Sequence, residues 1–258
     1  MIVKLTFSYL GTNFKGSAEN VGVRTVVAEI RKVIQKLLGC DLRLDLAGRT
    51  DSGVHARCQV ISFEIPKEYA YKRFRVKSKK AFSDTFIYKV NRFLPHDITL
   101  SDVSIVDDNF SARFSAKKRT YKYFLLAGEN LPAYYDLNYW LINNALNVSA
   151  VKKASKMLVG SHDFETFSKP ALGRGTVRDV FATAFESNDF EGYTKYTFTI
   201  VGNAFCWQMV RGIVGSLFEV GSGKMDLKYF EDMLTDPFRQ KIRTIAPPQG
   251  LYLWDIKY

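Results

Sequence analysis

The stretch IVKLTFSY, from Ile2 to Tyr9, alternates apolar and polar side chains, the period of a half-buried strand. The run VRTVVAEIRKVIQKLLG places its apolar residues at helical spacing and stops at Gly39, a residue that readily ends a helix. DLRLDL alternates again, and RCQVISFEI predicts a further strand. SDTFIYKVNRFLP predicts a helix opened by Ser83 and Asp84 and closed at Pro95, and DITLSDVSIV predicts a strand. The first half therefore has the order β-α-β-β-α-β.

The second half repeats it. TYKYFLLAG predicts a strand, and SAVKKASKMLVG a helix between a Ser149 cap and a Gly160 stop. RDVFATAFE and YTKYTFTIVG predict two strands joined by a hairpin turn around Asn188 to Gly192. AFCWQMVRGIVGSLFEVG and the shorter LKYFEDMLTD predict helices, and GLYLWDIKY closes as a strand. The expected fold class is α/β in the mixed α+β sense: two tandem ferredoxin-like βαββαβ halves, a mainly antiparallel sheet with helices on one side, and a central active-site cleft. The expected domains are 1–107 and 108–258, with a tight junction near VDDNFSARFSA. RNA-recognition modules share this topology. No strand here carries their basic-Gly-aromatic stacking signature, which makes a plain pair of such modules the weaker reading.

Composition narrows the partners. The chain has 258 residues, 47% of them hydrophobic, enough for a substantial core. Lys and Arg number 37 against 26 Asp and Glu, a net charge of +11, which favours a polyanionic partner, nucleic acid first. Cys40, Cys58 and Cys206 are far apart and form no Cys-x-x-Cys pair, so neither a disulfide framework nor a thiolate zinc site is expected, and a cytoplasmic location is. His55, His96 and His162 are equally isolated, and no metal ligand set is expected. Met1 leads directly into an alternating run, and no apolar run is long enough to span a bilayer, so no membrane association is expected.

The candidate chemistry lies in AGRTDSGVHA, Ala47 to Ala56. Asp51 of this stretch has three readings. Asp-Ser-Gly alone is a turn, with Gly supplying a positive φ. An aspartic-protease dyad also uses such a tripeptide, but two carboxylates sharing a proton need one raised pKa, and the neighbouring Arg49 favours ionisation instead. The third reading is a lone charged carboxylate acting as nucleophile or base. Beside a basic surplus, that chemistry points to a nucleotide.

AGRTDSGVHA closely resembles the active-site loop of the tRNA pseudouridine synthase A family. NFSARFSAKKRTYKY (Asn109 to Tyr123), VGNAFCWQMVRGIVGSL (Val201 to Leu217) and APPQGLYL (Ala246 to Leu253) resemble that family's further motifs, in its order, so the resemblance runs along almost the whole chain. It implies isomerisation of uridine to pseudouridine in the tRNA anticodon stem-loop, at tRNA positions 38–40. It also implies no cofactor, and a homodimer that holds one tRNA across both subunits. By the same resemblance Asp51 is the catalytic carboxylate, Tyr121 stacks on the base, Arg49 props the flipped nucleotide, Arg211 pairs with the carboxylate and Leu251 lines the pocket. Two segments depart from the pattern: Ser17-Ala18 stands where bacterial members often have Trp-Gln, and Trp207-Gln208 where they often have His-His.

Pseudouridine formation breaks a C–N glycosidic bond, turns the base and makes a C–C bond, and the base must first leave the stack. Asp51 could act at C1′, at C6 or at C2′, and the residues do not choose among these. Arg211 would keep the carboxylate ionised and aimed, inside a helix where Gly212 and Gly215 allow close packing. His55 has no evident chemical role beyond packing the loop. YKRFRVKSKK mixes cations with aromatics and is expected to contact RNA phosphates through Lys72, Arg73, Arg75, Lys77, Lys79 and Lys80. AKKRT and GRGTVRD are weaker candidates. The alternative from another class is a non-catalytic RNA-binding module on the same fold.

Overall fold

The computed structural model of the chain describes residues 1–170, 173, 175–236, 242 and 244–258. Two compact units emerge, Met1–Lys117 with Leu253–Tyr258, and Lys118–Tyr252. Residues 107 and 108, the expected junction, fall between strands β4 (Ile98–Val106) and β5 (Lys118–Ala127).

In the first unit β1 (Ile2–Tyr9) lies between β4 and β3 (His55–Glu64), antiparallel to both, and the short β2 (Asp45–Leu46) pairs with β3. This 4-1-3-2 order is the ferredoxin-like arrangement expected from the element sequence. The alternation in β1 becomes alternating burial, with Val3, Leu5, Phe7 and Tyr9 inside. Helix α1 (Val26–Leu38) starts where the Thr25 side chain accepts from Ala28 N and ends at Gly39 in the left-handed conformation, φ 77°. It buries Ile30 and Ile34.

The segment after β3 differs from its expected form. YKRFRVKSKK is not one extended arm: it contributes the end of α2 (Lys67–Phe74) and the start of α3 (Lys79–Phe93). α3 begins four residues before Ser83, because Ser78 is extended (φ −139°, ψ 158°) and its hydroxyl accepts from Ala81 N at 3.2 Å. That start places Phe82, Phe86 and Val90 on one buried face, where Phe74, Phe82 and Phe86 pack with ring centroids 5.4 Å apart.

The second unit contains the order β5-β9-β8-β7, where β7 is Gly160–Asp163, β8 Val177–Phe190 and β9 Tyr193–Gly202. A three-residue strand β6 (Trp140–Ile142) runs parallel to β5. β8 and β9 form the expected hairpin, closed by Glu191 and Gly192 with φ 55° and 82°, the two positive values of a tight primed turn. Helix α4 (Val148–Met157) is capped by Asn147, whose side chain accepts from Ala150 N at 3.0 Å, rather than by Ser149, and Gly160 begins β7. Helix α5 (Met209–Gly221) is buried almost all round, and α6 (Leu227–Thr235) is the short helix expected after it. β10 (Leu251–Lys257) starts in the second unit and ends in the first.

Candidate active site

In the first unit the Ala47–Ala56 loop is tied down at nearly every step. Ala47 N donates to Val60 O, and Gln59 Nε2 donates to Gly48 O at 2.8 Å. Thr50 N donates to Ser17 Oγ at 2.8 Å while Ser17 N donates to Thr50 O at 3.1 Å, and Ser17 is fully buried. The Thr50 hydroxyl meets the Tyr9 hydroxyl at 2.8 Å. Burial pushes the Tyr9 phenol up to about 12, so it enters this contact uncharged. Beyond Asp51, Ser52 Oγ and Gly53 N both donate to Phe14 O.

Asp51 sits half-buried at the head of a four-residue turn, closed by Val54 N donating to Asp51 O at 3.2 Å, with Gly53 at φ 79°. The turn reading of Asp-Ser-Gly is thus correct for the backbone. It uses the Asp51 carbonyl and leaves the chemical reading of the carboxylate standing. Arg49, two residues earlier, is exposed. His55 is fully buried in β3, and its Nδ1 accepts from Gly11 N at 2.9 Å. That bond needs a lone pair on Nδ1, so His55 serves as a neutral brace for the far end of the loop. A Cβ on Gly11 would lie 2.0 Å from Val54 O, so only glycine lets the two segments approach.

The second unit positions the other candidates. Arg211 is half-buried on α5, where its Nε donates to Ala246 O at 2.7 Å and its carbonyl accepts from Ala246 N at 3.1 Å. Arg211 therefore fixes the start of the APPQG segment as well as carrying charge. A Cβ on Gly212 would come 2.3 Å from Phe167 O, and one on Gly215 would come 2.0 Å from Thr244 O, which is the close packing expected of those glycines. Tyr123 holds the same segment from β5, donating its hydroxyl to Pro247 O at 2.7 Å. Burial raises its phenol, with an opposing pull from the Arg211 charge, and it remains a neutral donor. Leu251, the first residue of β10, is 5% exposed.

Tyr121 is buried on β5 opposite Ile200 of β9, with Phe205 edge-on to its ring at 5.1 Å. Asn203 sets Phe205. Its side chain accepts from Asp179 N and Ala204 N and donates to Asp179 Oδ2, while Arg119 donates to its carbonyl at 2.6 Å. This clamp explains why residues 204–208 are not helical: α5 begins only after Gln208, at φ 61°. Tyr123 and Asn203 lie inside motifs of the sequence and Ser17 at a departure from one, but no chemical role is read for any of them. All three act by holding backbone, which residue type and spacing do not reveal.

Lys72, Arg73, Arg75, Lys77, Lys79 and Lys80 are all exposed. Arg73 also supports the fold. Its Nε donates to Leu37 O at 2.9 Å, and Tyr69 OH donates to Leu38 O, so both satisfy carbonyls at the end of α1. Of the weaker segments, Lys118 lies 5.4 Å over the Phe181 ring, and Arg174 of GRGTVRD falls outside the described residues. Among the described residues no cluster of three or more His, Cys, Asp or Glu side chains could hold a metal ion. No helix is long and apolar enough to cross a membrane, again among the described residues.

Residues 154–258 match the family model described as tRNA pseudouridine synthase. Over its whole length the chain is similar to two bacterial proteins named tRNA pseudouridine synthase A. It is 36% identical to that of Dictyoglomus thermophilum, across 99% of this chain and 98% of the relative. It is 35% identical to that of Bacillus subtilis, across 100% of this chain and 99% of the relative.

Proposed function

The chain belongs to the tRNA pseudouridine synthase A family, and from that premise we propose that it isomerises uridine to pseudouridine in the tRNA anticodon stem-loop, at tRNA positions 38–40, with Asp51 as its catalytic carboxylate. The observation that carries this reading is the Asp51 loop itself. Thr50 before the Asp and Ser52 and Gly53 after it are each bonded to the Phe14–Ser17 segment, so the loop is preorganised around one carboxylate.

The reaction needs no net oxidation or external group. The C1′–N1 bond breaks, the uracil turns, C1′ bonds to C5, and the C5 hydrogen leaves to solvent while N1 takes a proton. A half-buried carboxylate beside exposed Arg49 fits a role at C1′, C6 or C2′ of a base taken out of its stack. Arg49 would occupy the space the base leaves, Tyr121 would stack on the uracil, Leu251 would line its pocket, and Arg211 would pair with Asp51. The exposed cations from Lys72 to Lys80 would meet tRNA phosphates. A homodimer holding one tRNA, and action in the cytoplasm without a cofactor, belong to the same reading. Mapping pseudouridine in unmodified tRNA treated with the purified protein tests it. Modification confined to tRNA positions 38–40 supports the reading, and an unmodified anticodon stem-loop contradicts it.

A further inference from the structure

The motif NFSARFSAKKRTYKY holds an exposed aromatic, Phe114, to which the proposed reaction gives no role. Phe114 is 76% exposed, at the tip of a turn in the first unit. A lone exposed aromatic on a mobile loop would need no explanation. This turn is not free to move. Ser115 N donates to Ser111 O at 3.0 Å, and the two serine hydroxyls accept from Ser111 N and from Phe114 N. The Ser111 hydroxyl also donates to Asp45 Oδ2 at 3.3 Å.

Ala112, fully buried at the base of the turn, is held on both sides. Its N–H donates to the buried Ser62 hydroxyl at 2.9 Å, and its carbonyl accepts from Tyr258 OH at 3.1 Å. The Tyr258 ring in turn packs on Phe110 at 4.8 Å. The turn is therefore bonded to β2, β3 and the C-terminal residue, and its fixed geometry keeps a phenyl ring in water. The Arg113 guanidinium lies 5.0 Å from the Phe114 ring, and Arg113 and Lys117 are exposed on the same segment.

We propose that Phe114 is a preorganised stacking platform for an unpaired nucleobase of the tRNA, with Arg113 beside it contacting the adjoining phosphate. A π-face accepts any base without reading its sequence, and a guanidinium both stacks and pairs with phosphate. Holding the ring in place beforehand removes the ordering cost that a flexible loop would incur on binding. The proposal rests on the tRNA substrate of the function above.

The experiment uses full-length Phe114→Ala, Phe114→Leu and Phe114→Trp, with Kd for an unmodified tRNA transcript measured at several salt concentrations and sedimentation velocity run on each. Loss of one base–aromatic stack predicts roughly tenfold weaker binding for Phe114→Ala. Phe114→Leu, apolar but without a π-face, is expected to bind as weakly as Phe114→Ala, and Phe114→Trp to bind at least as tightly as the native protein. The salt slope stays the same in all three, while Arg113→Gln lowers it by about one unit. Native affinity in Phe114→Ala or Phe114→Leu overturns the proposal. A changed sedimentation coefficient in Phe114→Ala also overturns it, because the ring then meets a second copy of the chain. Binding does not depend on turnover. A native protein that binds tRNA and forms no pseudouridine contradicts the proposed function and leaves the Phe114 comparison valid.

Discussion

Ser17 and Thr50 hold each other through two hydrogen bonds, with Thr50 N donating to Ser17 Oγ and Ser17 N donating to Thr50 O. The pair joins the segment after β1 to the residue immediately before Asp51. Ser17 lies in a segment that departs from the expected motif, and the structure gives it a backbone-holding role.

Ser17→Ala should leave the buried Thr50 N–H without its acceptor, a loss of about 1–3 kcal/mol. Urea unfolding measures the stability, and single-turnover assays measure the consequence at Asp51. The expected pattern is a lower unfolding midpoint and a reduced rate at saturating tRNA, with a smaller change in tRNA affinity. A variant as stable as the native protein would show that the loop is held by other contacts.

Tyr9 adds a pH dependence to the same anchor. Burial raises its phenol to about 12, whereas an unfolded tyrosine ionises near 10. The native state then keeps a proton that the unfolded chain releases. The associated stability is complete below pH 10 and falls as pH rises toward 12, by roughly 2–3 kcal/mol in all. Urea midpoints measured from pH 9 to 11.5 should fall less steeply in Tyr9→Phe than in the native protein, by up to one proton's worth of slope. Identical slopes would mean that Tyr9 ionises as it does in the unfolded chain.

The basic segment separates into two roles. Neutralising any two of Lys72, Arg75, Lys77, Lys79 and Lys80 should flatten the log–log salt dependence of tRNA binding by about one to two units, with the rate at saturation nearly unchanged. Arg49→Ala should keep the salt slope and lower the saturated rate. Arg73→Ala should lower the unfolding midpoint as well, because its guanidinium caps α1 at Leu37. If the lysine variants lose saturated rate as severely as Arg49→Ala, the segment belongs to the active site rather than to a phosphate surface.

Much of the fold is legible in the chain because its longer elements carry strong local signals. The alternation of IVKLTFSY, the helical spacing before Gly39 and the close glycines of α5 each match a physical need that the structure displays. The misreadings occur where the signal is short or ambiguous. α2 buries only Ala70 and Phe74 among charged neighbours, so its sequence resembles a solvated run. β6 has three residues, too few to show a period. Ser83 and Asp84 are good capping types, but Ser78 lies where the chain is extended, and it takes the cap. The motif residues around Asp51 were visible by type. Ser17, which holds Thr50 in the Asp51 loop, and Tyr123 and Asn203, which hold Pro247 and Asp179 in the second unit, depend on partners distant in sequence and become visible only in three dimensions.

Release of tritium from tRNA labelled at uridine C5 reports on the Asp51 carboxylate itself, because forming the new C–C bond frees that hydrogen. If Asp51 carries out the isomerisation, the native protein releases tritium rapidly under single-turnover conditions and Asp51→Ala and Asp51→Asn release none above background, both binding tRNA within a few-fold of native. The amide keeps the shape of the side chain and loses its charge, so measurable turnover by Asp51→Asn or Asp51→Ala would mean that another group carries out the isomerisation.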